Sequence, residues 1–130
     1  MKLIPTTIHG FLDYIVSALL IASPWLLGFA NNGLETWVPV VLGSTSIVYS
    51  FFTNYELGAV KILSMRIHLL LDFLSAVGLA FSPWIFGFSQ EIWAPHLIIG
   101  VLEMIVVALS VSISGSEVNQ HKFNDLGSAS

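Results

Sequence analysis

The chain has no cysteine, which excludes disulfides, thiolate metal sites, iron–sulfur clusters and a cysteine nucleophile. It is also poor in charge: Asp, Glu, Lys and Arg together make up 9% of its 130 residues, against about 25% in ordinary globular proteins. Lys and Arg number four, and the formal net charge is −4, so there is no basic footprint for nucleic acid. A nucleotide-binding glycine loop, a nucleophile–base arrangement and a metalloenzyme His/Cys spacing are all missing, and the expectation is of a protein that is not an enzyme and uses no cofactor. What the chain does have is apolar surface. Hydrophobic residues make up 55% of it and the mean hydropathy is +0.86. So few charged residues could hardly cover a water-soluble domain of this size.

Charge-free stretches mark the segments. Twenty-one uncharged residues separate Asp13 from Glu35, 20 separate Glu35 from Glu56, and 18 separate Asp72 from Glu91. Each approaches the ~20 residues a helix needs to cross a ~30 Å hydrocarbon core. A fourth stretch, from Ile92 to Ser114, is interrupted only by Glu103. Unbroken apolar runs favour helices over barrel strands, which would alternate. The expected crossings are 4–22, 36–54, 62–81 and 92–114, followed by a disordered polar tail over 115–130. Lys2, Lys61, Arg66 and Lys122 all fall on one side of that arrangement, which puts both termini on the cytoplasmic face. Trp25, Trp37, Trp84 and Trp93 gather at the opposite end as an aromatic belt. The expected setting is a prokaryotic plasma membrane, with the lipid bilayer as the main partner.

An internal repeat sets the architecture. Residues 9–29 align without gaps on residues 68–88, and nine of the 21 positions are identical, including His9/His68, Asp13/Asp72 and two copies of Ser-Pro-Trp. Glu35-x-Trp37-x-Pro39 then echoes Glu91-x-Trp93-x-Pro95. One repeat holds two crossings, so the second copy re-enters in the same orientation as the first. The expected fold is therefore an all-α integral membrane four-helix bundle of two same-orientation two-helix repeats, 1–60 and 61–114.

Ser23-Pro24-Trp25 and Ser82-Pro83-Trp84, each closing the first helix of a pair and followed by Gly28-Phe29 or Gly87-Phe88, resemble the SPW-repeat family of small integral membrane proteins. The resemblance spans roughly residues 8–114. It implies architecture and carries no established activity. Physically, proline removes a helix hydrogen bond, and Ser-Pro is also a helix-start signal. Both predict a break at Ser23 and Ser82, with 23–29 and 82–88 as short interfacial segments ended by Gly28 and Gly87.

Polar residues inside apolar helices are the candidate site. His9 and Asp13, like His68 and Asp72, are four apart and share a helix face. One reading is that each pair satisfies itself as a local staple. The other is that all four groups converge between two helices, as a proton relay or a nitrogen–oxygen site for a divalent cation, with metal binding left open. Glu103 has no counterpart in the first repeat; its expected partners are Ser44, Thr45, Ser46 or Tyr49. His96 reads as an interfacial polar residue. Two functions follow: a structural or accessory membrane component or, alternatively, proton or cation permeation through a homo-oligomer.

Overall fold

The structure is a computed structural model that describes residues 4–55 and 57–128, with the side chains of 111–123 and 128 left aside. Lys2 and the Lys122 side chain, two of the four cations behind the expected orientation, lie outside the described residues, as do Ala129 and Ser130 of the tail. Among the described residues four helices follow one another: α1 (Thr6–Leu26), α2 (Leu34–Phe51), α3 (Met65–Ile85) and α4 (Ala94–Ser128). There is no strand among the described residues, only an isolated bridge between Thr53 and Leu63.

Ser-Pro-Trp does not break the helices. Both α1 and α3 run through it, to Leu26 and Ile85, with Pro24 and Pro83 inside. The expected ends at 22 and 81 are therefore corrected, and the motif forms the last helical turn. The reason is local. Proline lacks the N–H that would reach the carbonyl four residues back, Leu20 or Leu79. The preceding serine supplies the missing donor: Ser23 Oγ donates to Leu20 O at 2.8 Å, and Ser82 Oγ to Leu79 O at 2.7 Å. Gly28 and Gly87, at φ 75° and 77°, then turn the chain out of the helix.

Three other boundaries differ from expectation by three residues or more. Helix α2 stops at Phe51, and residues 52–64 form a connection closed by its own backbone bonds, including Asn54 N to Leu63 O at 2.7 Å and Leu63 N to Phe52 O at 2.8 Å. Helix α3 starts at Met65, capped by Ser64, whose hydroxyl accepts from Ile67 N. The tail from 115, expected to be disordered, continues α4 as helix to Ser128. No proline follows Pro95 to stop it.

Packing joins α1 chiefly to α2 and α3 chiefly to α4. Glycines allow both close approaches. A Cβ on Gly43 would lie 2.7 Å from Ser17 O, and one on Gly100 2.7 Å from Ala76 O. Ser17 and Ala76 occupy equivalent places in the repeat, so the two hairpins cross at the same point.

The pattern of burial is unusual. His9, Ser17, Ser23, Thr36, Ser50, Thr53, His68, Asp72, Ser82, His96 and Ser110 are buried, while Phe11, Leu19, Trp25, Val41, Leu70, Phe73, Phe81, Trp84, Ile98 and Ile105 are exposed. By length and composition α1 and α3 are long and apolar enough to cross a membrane, at mean hydropathy 1.3 and 1.4; the apolar helix of α4 covers Ala94–Ser110. Among the described residues the two helices α1 and α3 pass that test, against four crossings expected: Glu35, Thr36, Ser44, Thr45 and Ser46 make α2 less apolar, and the described apolar part of α4 ends at Ser110.

Candidate functional site

His9 and Asp13 are the fourth and eighth residues of α1, and His68 and Asp72 hold the same two places in α3. Their spacing aims each pair sideways from its own helix, and the two pairs meet. Across the helices, His9 Nε2 lies 2.9 Å from Asp72 Oδ2 and His68 Nε2 lies 2.6 Å from Asp13 Oδ2. Along each helix the separations are longer, 3.2 Å for His9–Asp13 and 3.1 Å for His68–Asp72. The convergent arrangement is the one found; pairing is stronger between helices than within them.

Both histidines, and one of the two carboxylates, are oriented by a further partner. His9 Nδ1 lies 2.8 Å from Ser110 Oγ on α4, and that hydroxyl gives its proton to Val106 O. His68 Nδ1 lies 2.8 Å from Thr53 Oγ1, whose proton goes to Tyr49 O. In each case the hydroxyl oxygen is left to accept, so Nδ1 is the donor. Each Nε2 also donates, to a carboxylate. Both rings therefore carry two N–H groups, and two imidazolium charges face two carboxylates in a balanced quartet. Tyr49 adds a donor to Asp72 Oδ1 at 2.5 Å.

A lid covers this end of the bundle. Tyr55, buried in the 52–64 connection, lies beside the His68 ring at 5.5 Å and over Gly10, where a Cβ would strike the tyrosine ring. Burial, and then the nearby Asp13 charge, pushes the Tyr55 phenol above its ordinary value, so it stays neutral. Tyr14 pins the same connection by donating to Leu57 O at 3.0 Å.

Beside the quartet is a cavity of about 200 Å³, lined mainly by α1 and α4 and including Asp72, Ser46, Tyr49 and Glu103. Half-buried Glu103 faces it. Of the partners expected for Glu103, Ser44 and Thr45 are exposed elsewhere, and Tyr49 spends its proton on Asp72.

At the other end, the connections after α1 and α3 meet around His96. Its ring lies between Phe29, at 5.4 Å, and Phe88, at 5.0 Å, and Nε2 donates to Glu35 O at 2.9 Å. His96 is 2% exposed, enclosed between the two turns near the start of α4.

The two Ser-Pro-Trp turns share one geometry, with buried Ser and Pro and an outward Trp: Trp25 is 59% and Trp84 50% exposed. A family model described as SPW repeat domain matches residues 7–110. The chain belongs to that family. No curated protein and no solved structure matches it. The matched span of the SPW repeat domain covers α1 through the apolar part of α4 and includes all four members of the quartet. Its signature motif lies at the opposite end of α1 and α3 from the His/Asp residues.

Sequence reasoning missed Thr53 and Ser110. They occupy equivalent positions in the two repeats when Gly43 and Gly100 set the register, and each serves the histidine of the other repeat. That register, read along the second helix of each pair, was the available signal.

Proposed function

We propose that this SPW repeat protein is an integral membrane four-helix bundle that acts as a structural or accessory membrane component, its two hairpins facing the same way and both termini cytoplasmic. The observation that carries the reading is the inverted polarity: hydrogen-bonded His, Asp, Ser and Thr inside, and Phe, Leu, Ile and Trp outside. In water, exposing so much apolar surface is costly; in lipid it is the required exterior, and polar groups must be satisfied within the bundle. The same-facing arrangement is supported by the contacts at each end, where the starts of α1 and α3 meet in the quartet and the turns after them meet at His96. The four exposed tryptophans flank those turns, as an aromatic belt would. Lys61 and Arg66 lie at the other end, the cytoplasmic one by the positive-inside rule.

The second reading, proton or cation permeation in a homo-oligomer, draws on the cavity that joins Glu103 to Asp13 and Asp72. One experiment separates the two: replace Asp13 and Asp72 together by Asn, and measure bundle stability in detergent and proton or cation flux in liposomes. The structural reading expects lower stability and no flux from the parent protein. Parent flux that vanishes in a folded double variant overturns it in favour of permeation.

A further inference from the structure

The quartet closes a ring in which nitrogen and oxygen alternate. Going round it, His9 Nε2, Asp72 Oδ2, His68 Nε2 and Asp13 Oδ2 or Oδ1 are separated by 2.9, 3.1, 2.6 and 3.2 Å. One donor atom from each residue lies within 4.8 Å of all the others. A four-coordinate ion bound at about 2.0–2.1 Å holds adjacent donors roughly 3.3 Å apart. To admit one, the ring must open at its closest edge, His68–Asp13, by roughly 0.7 Å and bring its two nitrogens, and its two oxygens, to the same spacing.

We propose that His9, Asp13, His68 and Asp72 form a binding site for one divalent transition-metal ion of the zinc class, ligated by both Nε2 atoms and one oxygen of each carboxylate. The donor set decides the class. Two imidazoles disfavour Ca²⁺ and Mg²⁺, which take oxygen, and suit Zn²⁺ and its neighbours. Charge agrees, because two carboxylates and two neutral imidazoles balance a dication where few other charges are near.

The surroundings have the form that metal sites need. A ligating histidine is normally held by a hydrogen bond from its other nitrogen, and both are held here, by Ser110 and Thr53 hydroxyls already committed as donors elsewhere. Tyr49 fixes Asp72 Oδ1 and leaves Oδ2 for the centre. The cavity lined by His9, Asp13 and Asp72 provides an approach. On ligation each Nε2 surrenders its proton to solvent, and the metal–nitrogen bond replaces the N–H bond. The inference rests on side-chain geometry alone and does not depend on the membrane reading.

The test uses the untagged full chain in detergent, stripped by a chelator and titrated with Zn²⁺ alone, then with Co²⁺ as a spectroscopic probe. The expected result is one Zn²⁺ per chain retained after desalting, a raised thermal midpoint and the intense visible bands of tetrahedral Co²⁺. Asp72→Asn should abolish stoichiometric retention. Ser110→Ala, which leaves all four ligands in place, should weaken affinity about 10- to 100-fold and carries the test if Asp72→Asn does not fold. No stoichiometric metal, an octahedral Co²⁺ spectrum, or parental affinity in Ser110→Ala would each overturn the proposal.

Discussion

Tyr49 donates a 2.5 Å hydrogen bond to Asp72 across the α2–α3 boundary, and the position equivalent to Tyr49 in the second repeat is Val106, which can offer Asp13 nothing. The repeat is thus broken at its polar centre, and broken again one turn earlier, where Ser46 is matched by Glu103. On the side where Tyr49 stands, α2 and α3 are in contact; on the other, α1 and α4 touch less and the cavity opens.

Tyr49→Phe should therefore destabilise the bundle by about 1–3 kcal/mol, since it strips one donor from a buried carboxylate. Val106→Ala should cost little beyond its lost methyl groups, because that side already opens on the cavity. Unfolding midpoints in detergent check both.

Removing one charge of the quartet should cost more. Asp72→Asn leaves two imidazolium groups with one carboxylate, and a buried pair broken on one side loses about 3–5 kcal/mol. A double-mutant cycle of His9→Gln with Asp72→Asn should return a coupling energy well above that of the cycle pairing His9→Gln with Asp13→Asn, since the bond across the helices, at 2.9 Å, is shorter than the one along the helix, at 3.2 Å. Equal couplings would contradict the cross-helix pairing.

Ser23 and Pro24 should behave as a unit. Ser23→Ala leaves the Leu20 carbonyl without a donor and should lower stability by about 1 kcal/mol. Adding Pro24→Ala restores a backbone N–H to that carbonyl, so the double variant should recover the loss. Ser82→Ala and Pro83→Ala repeat the experiment on α3. Additive losses in thermal unfolding would show that the hydroxyl plays no such part.

Glycine substitutions test the hairpin crossings. Gly43→Ala and Gly100→Ala push a methyl group against backbone oxygens of the facing helix and should each cost about 1–3 kcal/mol. Gly78→Ala meets nothing within 4 Å and should be neutral or stabilise by up to about 1 kcal/mol. Denaturation of the three variants side by side checks the order.

Much of this architecture is legible in the sequence. The number of helices follows from charge-free stretches, and the duplication follows from His, Asp and Ser-Pro-Trp recurring in register. The convergence of His9, Asp13, His68 and Asp72 was one of two readings that the spacing left open, because an i,i+4 pair can serve itself or its neighbour equally well. Which one holds depends on the rotation of α1 against α3, and no local pattern encodes that. Thr53 and Ser110 were hidden among many Ser and Thr residues in apolar helices. The continuity of α1 through Pro24 was hidden for a different reason: proline alone argues for a break, and only the geometry of the Ser23 hydroxyl shows the lost bond replaced.

In the proposed arrangement two hairpins lie side by side in a bilayer and face the same way. A chain without cysteine allows this to be read directly, by introducing single cysteines at exposed positions and labelling intact cells with a membrane-impermeant maleimide. Asn32→Cys, after α1, and Gln90→Cys, after α3, should both label from outside, whereas Ala59→Cys, between the hairpins, should label only once the membrane is permeabilised. Labelling of Asn32→Cys and Gln90→Cys from opposite sides, or equal labelling of all three in unbroken cells, would contradict it.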